Sequence, residues 1–197
     1  MKIIGLTGGS GAGKGEVCKA FLNYGIESID TDKVYRDVTK KGGKCLDELV
    51  ENFSGIILTE DGELDRKKLA EIVFNSEEKL RLLNKISHRH ILEECQNWIQ
   101  DRAKANCEAV IIDAPLLFES GFDKNCDVII SVLADIDKRI ERIIKRDNLT
   151  ESQAMLRIKN QKEDKFFIER SDYVIYNNGD YADVLIQAAD INNIIRL

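Results

Sequence analysis

The segment Met1–Glu16 constrains the fold of this chain more than any other feature. An apolar run at Lys2–Thr7 leads into a loop with glycines at positions 8, 9, 11 and 13, and Lys14 stands where a helical pattern begins. Gly8, Gly13 and Lys14 fit the G-x-x-x-x-G-K spacing of a phosphate-binding loop (P-loop), in which backbone N–H groups surround phosphate oxygens. A turn that merely joins a strand to a helix is the alternative, but it does not require these glycines and a lysine.

The P-loop pattern predicts binding of a nucleoside triphosphate and leaves the reaction open. A helix that begins near Gly13 directs its free N–H groups and the positive end of its dipole at the same phosphates. One position departs from the pattern, because Gly15 stands where a P-loop has Ser or Thr, whose hydroxyl binds Mg²⁺. Glu16 is a poor substitute, since the triphosphate would repel its carboxylate.

Length and charge narrow the class of protein. A chain of 197 residues with 43% hydrophobic residues suits one globular domain, and a net charge of −6 argues against nucleic acid or an anionic membrane as partner. We expect a metabolic enzyme in the cytoplasm, because we recognise neither a signal peptide nor a membrane span. The five cysteines are scattered and odd in number, which favours reduced thiols over disulfides or a metal site.

Short apolar runs alternate with longer helical patterns along the chain, which predicts an α/β fold with a parallel sheet. The five predicted strands are Lys2–Thr7, Ile26–Asp30, Ala109–Asp113, Asp127–Leu133 and Tyr173–Tyr176. The predicted helices between the second and third strands are Lys44–Phe53, Arg66–Phe74 and Glu77–Ala105. We interpret this long stretch as a helical insertion over the carboxyl edge of the sheet, where open α/β sheets bind ligands.

The chain is therefore predicted to form one domain over residues 1–197, with three kinds of segment. They are a core of 1–32, 106–134 and 171–197, an insertion of about 33–105, and a helical lid of about 135–170.

Two acidic positions are candidates for chemistry. Asp32 follows the second predicted strand and could accept the proton of a substrate hydroxyl, or it could cap the next helix. Asp113 ends an apolar strand and could hold Mg²⁺ directly or through water, or it could cap a turn. The loop that follows, with Leu116, could line a substrate pocket or pack into the core.

A basic ridge is predicted in the lid region. Arg139, Arg142 and Arg146 are spaced i, i+3 and i+7, so they share one face of a helix. Such a ridge is often a solvated surface, but phosphoryl transfer needs guanidinium groups that hold the charge of the migrating group. The P-loop favours this second interpretation.

Taken together, the motifs resemble those of the dephospho-CoA kinase family over nearly the whole chain. The resemblance rests on the P-loop and on five further segments: Ile29–Asp32, Gly62–Arg66, Asp113–Glu119, Lys145–Thr150 and Asp172–Gly179. It implies a three-layer P-loop fold with a five-stranded parallel sheet, a CoA-side helical insertion and a lid, as in nucleoside monophosphate kinases. It also implies transfer of the γ-phosphoryl group of ATP to the ribose 3′-hydroxyl of dephospho-CoA, with Mg²⁺ bridging the phosphates.

The resemblance also implies roles for single residues. Asp32 becomes the candidate base, Lys14, Arg142 and Arg146 would stabilise the phosphates, and Arg66, His88, Asp113 and Leu116 would lie at the acceptor. The nucleotide-binding set is Gly8, Gly11, Ala12, Gly13, Lys14, Gly15, Glu16, Asn177 and Gly179, of which the last two match the adenine-contacting segment. Where the family has a turn-forming proline after the histidine, this chain has Arg89.

These inferences predict an active kinase that demands more Mg²⁺ than usual, because a water must replace the missing hydroxyl at Gly15. The expected partner is the small-molecule acceptor, with no nucleic acid and no membrane, and a monomer is expected, with an oligomer left open. Two alternatives remain. They are a nucleotide-binding regulator without turnover and a kinase for another nucleotide-like small molecule.

Overall fold

A five-stranded parallel sheet forms the centre of the fold, as predicted. The structure is a computed structural model, and it describes residues 1–195; the last two residues of the predicted core segment, 196–197, lie outside that range. The strands are β1 (Lys2–Thr7), β2 (Glu27–Asp30), β3 (Ala109–Asp113), β4 (Val128–Leu133) and β5 (Tyr173–Tyr176). Their order in the sheet is β2-β3-β1-β4-β5, which confirms the α/β fold class.

Residues 1–195 also contain nine α-helices. They are α1 (Lys14–Leu22), α2 (Thr31–Val38), α3 (Lys44–Phe53), α4 (Arg66–Phe74), α5 (Glu77–Lys104), α6 (Ile136–Asp147), α7 (Glu151–Lys159), α8 (Asp164–Ile168) and α9 (Tyr181–Ile195). Short 3₁₀ turns lie at Gly55–Ile57 and Phe122–Asn125. Across this described part of the chain, no helix combines the length and apolarity that crossing a membrane requires.

The described residues divide into two compact units. The first comprises Met1–Ile29 and the chain from Arg102 onward, and the second comprises Asp30–Asp101. The first unit holds the main core, where side chains of β1, β3, β4 and β5 pack with those of α1 and α9. Strands β1, β3 and β4 are nearly continuous apolar runs, because strands in the middle of a parallel sheet are covered on both faces.

Helices α6 and α7 form a small hairpin with its own core in the first unit. Ile140, Ile143, Ala154 and Ile158 are buried together between the two helices. The N-terminus of α7 is closed by a capping box, in which the Thr150 hydroxyl accepts from the Gln153 N–H and the Gln153 side chain accepts from the Thr150 N–H. The hairpin therefore has local reasons to fold, although its core is small.

The second unit is helical and has a separate core. Buried residues of α3, α4 and α5, from Cys45 to Ile86, pack together in it. Helix α5 continues unbroken from Glu77 to Lys104, close to the predicted Glu77–Ala105, so the chain makes no turn after His88. Arg89 lacks the ring that prevents a proline from continuing a helix, and its side chain instead pairs with Glu48 of α3.

Candidate active site

Parallel strands of the first unit bring three predicted segments to one edge of the sheet. Leu6 of β1 is in register with Asp113 of β3, and Leu133 of β4 is in register with Tyr176 of β5. Each strand therefore ends at the same edge. The loop Gly8–Gly13, the Asp113 side chain and Asn177 all follow directly from these strand ends.

The P-loop backbone adopts a conformation that requires glycine. Gly11 and Gly13 have φ angles of 78° and 96°, in the left-handed region. A Cβ atom on Gly11 would lie 2.5 Å from the Arg139 carbonyl oxygen, and one on Gly13 would lie 2.0 Å from the Asn177 Nδ2 atom. Gly13 also stands at the N-cap of α1, so the loop ends where that helix presents its free N–H groups.

Lys14 folds back over the loop. Its Nζ atom donates to the Gly8 carbonyl at 3.4 Å and lies 3.9 Å from Asp113 Oδ1. Both side chains are mostly shielded from solvent, with 14% of the lysine and 15% of the aspartate exposed. An ammonium held between the loop and a carboxylate is positioned to contact a phosphate that enters the loop.

Gly15 lies on the exposed first turn of α1. A Cβ atom built on it meets no heavy atom within 4 Å, so the space where a P-loop hydroxyl would lie is open. The Glu16 carboxylate points elsewhere, because its Oε2 accepts a hydrogen bond of 2.6 Å from Asn177 Nδ2. The role of Asp113 as a metal ligand stays a prediction.

Asn177 connects the loop to the end of β5. The side chain is buried, its Nδ2 donates to the Ala12 carbonyl at 3.0 Å, and its Oδ1 accepts from Arg142 Nη2 at 3.1 Å. Gly179 lies two residues further on, in a place where a Cβ atom would meet Asp183 Oδ2 at 1.8 Å. Both predicted adenine-side residues thus follow β5 at the loop edge of the sheet.

The three arginines of the predicted ridge have different surroundings. Arg142 Nη1 donates to the carbonyls of Gly11 and Ala12 at 3.3 Å each. Arg146 is 61% exposed, and its guanidinium donates to both carboxylate oxygens of Asp147. Seven residues advance a helix by about 10.5 Å, so Arg146 starts well beyond Arg139 along α6. Its predicted contact with phosphate stays a prediction.

Arg139 is the buried member of the ridge. It is 5% exposed, and its Nε donates to the Ser10 carbonyl at 2.9 Å. Burial lowers the pKa of this guanidinium, while the charge of Asp164, whose Oδ1 lies 3.8 Å from Nη1, acts in the opposite direction. The helical spacing identified this arginine but gave no sign that it is buried against the loop.

Gln161 is a site residue that sequence reasoning missed. It lies between α7 and α8, where its Oε1 accepts from Ser10 N–H at 3.0 Å and from Arg139 Nη2 at 2.8 Å. Its Nε2 donates to the Ser10 hydroxyl at 3.0 Å. A single polar residue in a short connection has no periodic or motif signal, so nothing in the sequence distinguished it.

In the second unit, the structure rules out one of the two interpretations of Asp32, and its role as a base stays a prediction. The residue that caps α2 is Asp30, whose Oδ1 accepts from the N–H groups of Asp32 and Lys33. The capping role considered for Asp32 is therefore wrong. A cap must precede the helix, and Asp32 already lies within its exposed first turn.

The remaining predicted acceptor residues have defined surroundings. Arg66 starts α4, donates to Thr39 Oγ1 at 2.8 Å and places its Cζ atom 4.9 Å from the centre of the Tyr35 ring. His88 is half-buried on α5, and this burial lowers the pKa of its imidazole. In the first unit, Leu116 is 54% exposed in the loop after β3, so it does not pack into the core.

A parallel sheet whose first strand leads through a glycine-rich loop into a helix, with a lysine and an aspartate at the loop, defines a P-loop nucleotide-binding protein. Comparison with known proteins agrees. The sequence model of dephospho-CoA kinase (CoaE) matches residues 2–183. A dephospho-CoA kinase of Fusobacterium nucleatum is 39% identical over 185 residues, with 93% of each chain covered.

One solved structure supports the same assignment, and a second supports the fold. The dephospho-CoA kinase of Campylobacter jejuni has a TM-score of 0.69 and 26% identity, over 98% of this chain and 96% of that one. The TT1252 protein of Thermus thermophilus shares the fold, with a TM-score of 0.83 and 24% identity over 98% of this chain and 97% of that one. This chain belongs to the dephospho-CoA kinase family.

Proposed function

We propose that the protein transfers the γ-phosphoryl group of ATP to the ribose 3′-hydroxyl of dephospho-CoA, which yields coenzyme A and ADP. The observation that carries this conclusion is the family match across residues 2–183, which includes the P-loop and every further motif named above. Phosphorylation of dephospho-CoA in coenzyme A biosynthesis, with ATP as donor, is the activity of this family.

In the proposed reaction, a bond forms between the 3′-oxygen of the acceptor and the γ-phosphorus. The bond between that phosphorus and the β–γ bridging oxygen breaks, and ADP leaves. Asp32 accepts the proton of the hydroxyl, because a carboxylate that orients the attacking hydroxyl is a recurrent part of kinase sites. Its place on the exposed first turn of α2 is compatible with this role.

The residues of the first unit hold the donor. The N–H groups at the start of α1 and Lys14 face the entering phosphates, and Lys14 neutralises charge on the β- and γ-oxygens. Arg142 and Asn177 donate to the carbonyls of Gly11 and Ala12, so they help to fix the conformation of the loop. Arg66 and His88 of the second unit contact the acceptor, and residues 135–170 act as a lid that brings Arg146 to the phosphates.

The residues present fit Mg²⁺. Mg²⁺ keeps several waters and needs only one or two carboxylates besides substrate phosphates, and Asp113 supplies one carboxylate at the loop. The open space at Gly15 leaves room for a water in place of the usual hydroxyl. When bound, Mg²⁺ would neutralise the β- and γ-phosphate charge. A monomer in the cytoplasm without a nucleic-acid partner stays a prediction.

Purified protein, ATP and an Mg²⁺ titration test the proposal. Dephospho-CoA, AMP and adenosine serve as separate acceptors, with ADP release followed and product masses measured. We expect coenzyme A to form selectively. Transfer to AMP in preference to dephospho-CoA would instead indicate a different small-molecule kinase, and ATP binding without transfer to any acceptor would indicate a regulator.

Two neighbouring aspartates provide a matched test of the base. Asp32→Asn should lower kcat by roughly 10²- to 10⁴-fold, the usual contribution of a general base, with little change in unfolding free energy. Asp30→Ala should leave kcat nearly unchanged but lower the unfolding free energy by about 1 kcal/mol, because the α2 cap is lost. If Asp32→Asn kept kcat within threefold of the wild type, Asp32 would not be the base.

A further inference from the structure

Ser10 lies in the middle of the P-loop. Each of its polar groups is hydrogen-bonded to one of two residues that are distant in sequence, Gln161 and Arg139. Its N–H donates to Gln161 Oε1, its hydroxyl accepts from Gln161 Nε2, and its carbonyl accepts from Arg139 Nε. The N–H of Ser10 therefore points at Gln161. The peptide on each side of Ser10 has its orientation set from outside the loop.

The P-loop packs closely against Arg139 and Gln161. A Cβ atom on Gly9 would lie 2.3 Å from Arg139 Nη2 and 3.0 Å from Gln161 Oε1. Gln161 Oε1 also accepts from Arg139 Nη2 at 2.8 Å, so one amide oxygen holds both the loop and the arginine. Because Arg139 is 5% exposed, its guanidinium has little freedom to find other partners.

The charge of the residue at position 161 matters as much as its shape. A neutral amide accepts from Ser10 and Arg139 without cancelling the positive charge of the guanidinium. A carboxylate at that place would satisfy the same donors, but it would put a negative charge beside the loop that receives a triphosphate. In a shielded site, such charges act more strongly than they do in water.

We propose that Gln161 is a positioning residue for nucleotide binding. Together with Arg139 it holds the Ser10 peptide, so that the remaining P-loop N–H groups are preorganised for the triphosphate. Because its side chain is neutral, it preserves the positive charge of Arg139 beside the loop. The inference rests on the proposed function, since it names a residue that serves the same site. It assigns a task to the connection between α7 and α8, which no motif of the sequence explained.

The test compares Gln161→Met with the wild type. Methionine has a similar length and cannot make these hydrogen bonds, so we expect the Kd and KM for ATP to rise about tenfold or more. The KM for dephospho-CoA should stay within twofold, a split that a general loss of folding would not produce. A Kd for ATP within twofold of the wild type would overturn the proposal.

Gln153→Met is the matched control. Gln153 lies in the first turn of α7, the helix that precedes Gln161, and accepts a backbone N–H through its Oε1, but that N–H belongs to Thr150 in the α7 cap. This variant should weaken the hairpin and leave the Kd for ATP within twofold of the wild type. An equal loss of ATP affinity in both glutamine variants would show that only hairpin stability matters, and it would overturn the proposal.

Gln161→Glu keeps both acceptor contacts, so it tests the proposal even if the methionine variant does not fold. We expect wild-type unfolding but a Kd for ATP at least fivefold higher, because of the added charge. ATP binding as tight as that of the wild type would overturn the assigned role of neutrality. Equilibrium ATP binding is measured separately from transfer, so absent turnover in the wild type would contradict the proposed function without deciding the role of Gln161.

Discussion

Gly15 is a single residue at which the sequence and the structure together make a sharp prediction about the metal. The position lacks the usual hydroxyl, and a Cβ atom there meets no neighbour within 4 Å. Gly15→Ser should therefore fit without strain. We expect the Mg²⁺ concentration for half-maximal activity to fall on the order of tenfold, the effect that one supporting interaction has on metal affinity.

Gly15→Ala is the control for this substitution. It fills the same space without a hydroxyl, and either side chain should stabilise the first turn of α1 by about 0.5 to 1 kcal/mol relative to glycine. Mg²⁺ titrations of both variants at saturating ATP separate the two effects. An unchanged Mg²⁺ requirement in Gly15→Ser would show that the missing hydroxyl does not limit metal binding.

Among elements, α5 carries a titratable group whose environment predicts a pH effect. Burial lowers the pKa of His88 below its ordinary value of 6.5, so the unfolded chain takes up this proton at a higher pH than the folded chain. The contribution of neutral His88 to the stability of the fold is complete above pH 6.5. It is lost as the pH falls through the lowered pKa of the folded state. A second histidine, His90, lies beside Glu48, so a comparison of variants is needed to isolate the effect of His88.

The substitution His88→Gln removes the titratable imidazole at this position and leaves His90 unchanged. The difference obtained by subtracting the unfolding free energy of His88→Gln from that of the wild type should decrease as the pH falls from 7.5 to 5. This difference can change by at most about 1.4 kcal/mol per pH unit, and partial exposure of the His88 ring keeps the change below that limit. Urea unfolding at several pH values measures the difference, and a difference that does not vary with pH would contradict the assignment.

Helix α6 shows how far an element can be predicted. The spacing of its arginines predicts a shared face, and on that face Arg139 and Arg142 contact the P-loop. The same spacing could not show that Arg146 pairs with Asp147, because a helical pattern gives the face of a residue but not what lies opposite each turn.

At the scale of the whole molecule, burial of the cysteines predicts how the protein reacts with thiol reagents. Burial raises the pKa of Cys45 to about 11 and those of Cys95 and Cys126 to about 12. At pH 8, about a thousandth or less of each is then the reactive thiolate. All five cysteines of the described chain are free thiols.

We therefore expect these three cysteines to resist a thiol-specific reagent at pH 8 in the native protein and to react fully in denaturant. Mass spectrometry of each labelled peptide measures the rates. Cys18 and Cys107 serve as internal comparisons, and both are half-buried, as Cys126 is. Rapid native labelling of Cys45 would show that the core of the second unit opens easily.

The sequence by itself determined the five strands, the P-loop and its departure at Gly15. These features depend on residues close together in the chain: apolar runs, glycine spacing and a lysine at a helix start. Even a local role could be assigned to the wrong residue: the cap of α2 was considered for Asp32, but Asp30 is the residue that caps this helix. There, the hydrogen bonds of the folded helix decided.

Only the tertiary structure decided how the P-loop is held. Gln161 is 151 residues from Ser10, and Asn177 is 161 residues from Glu16, yet each pair is joined by a hydrogen bond. Such contacts depend on how the helices pack on the sheet and where the strands end. Local sequence carries no record of that packing, so the motifs predicted which residues form the nucleotide loop but not which residues hold it in place.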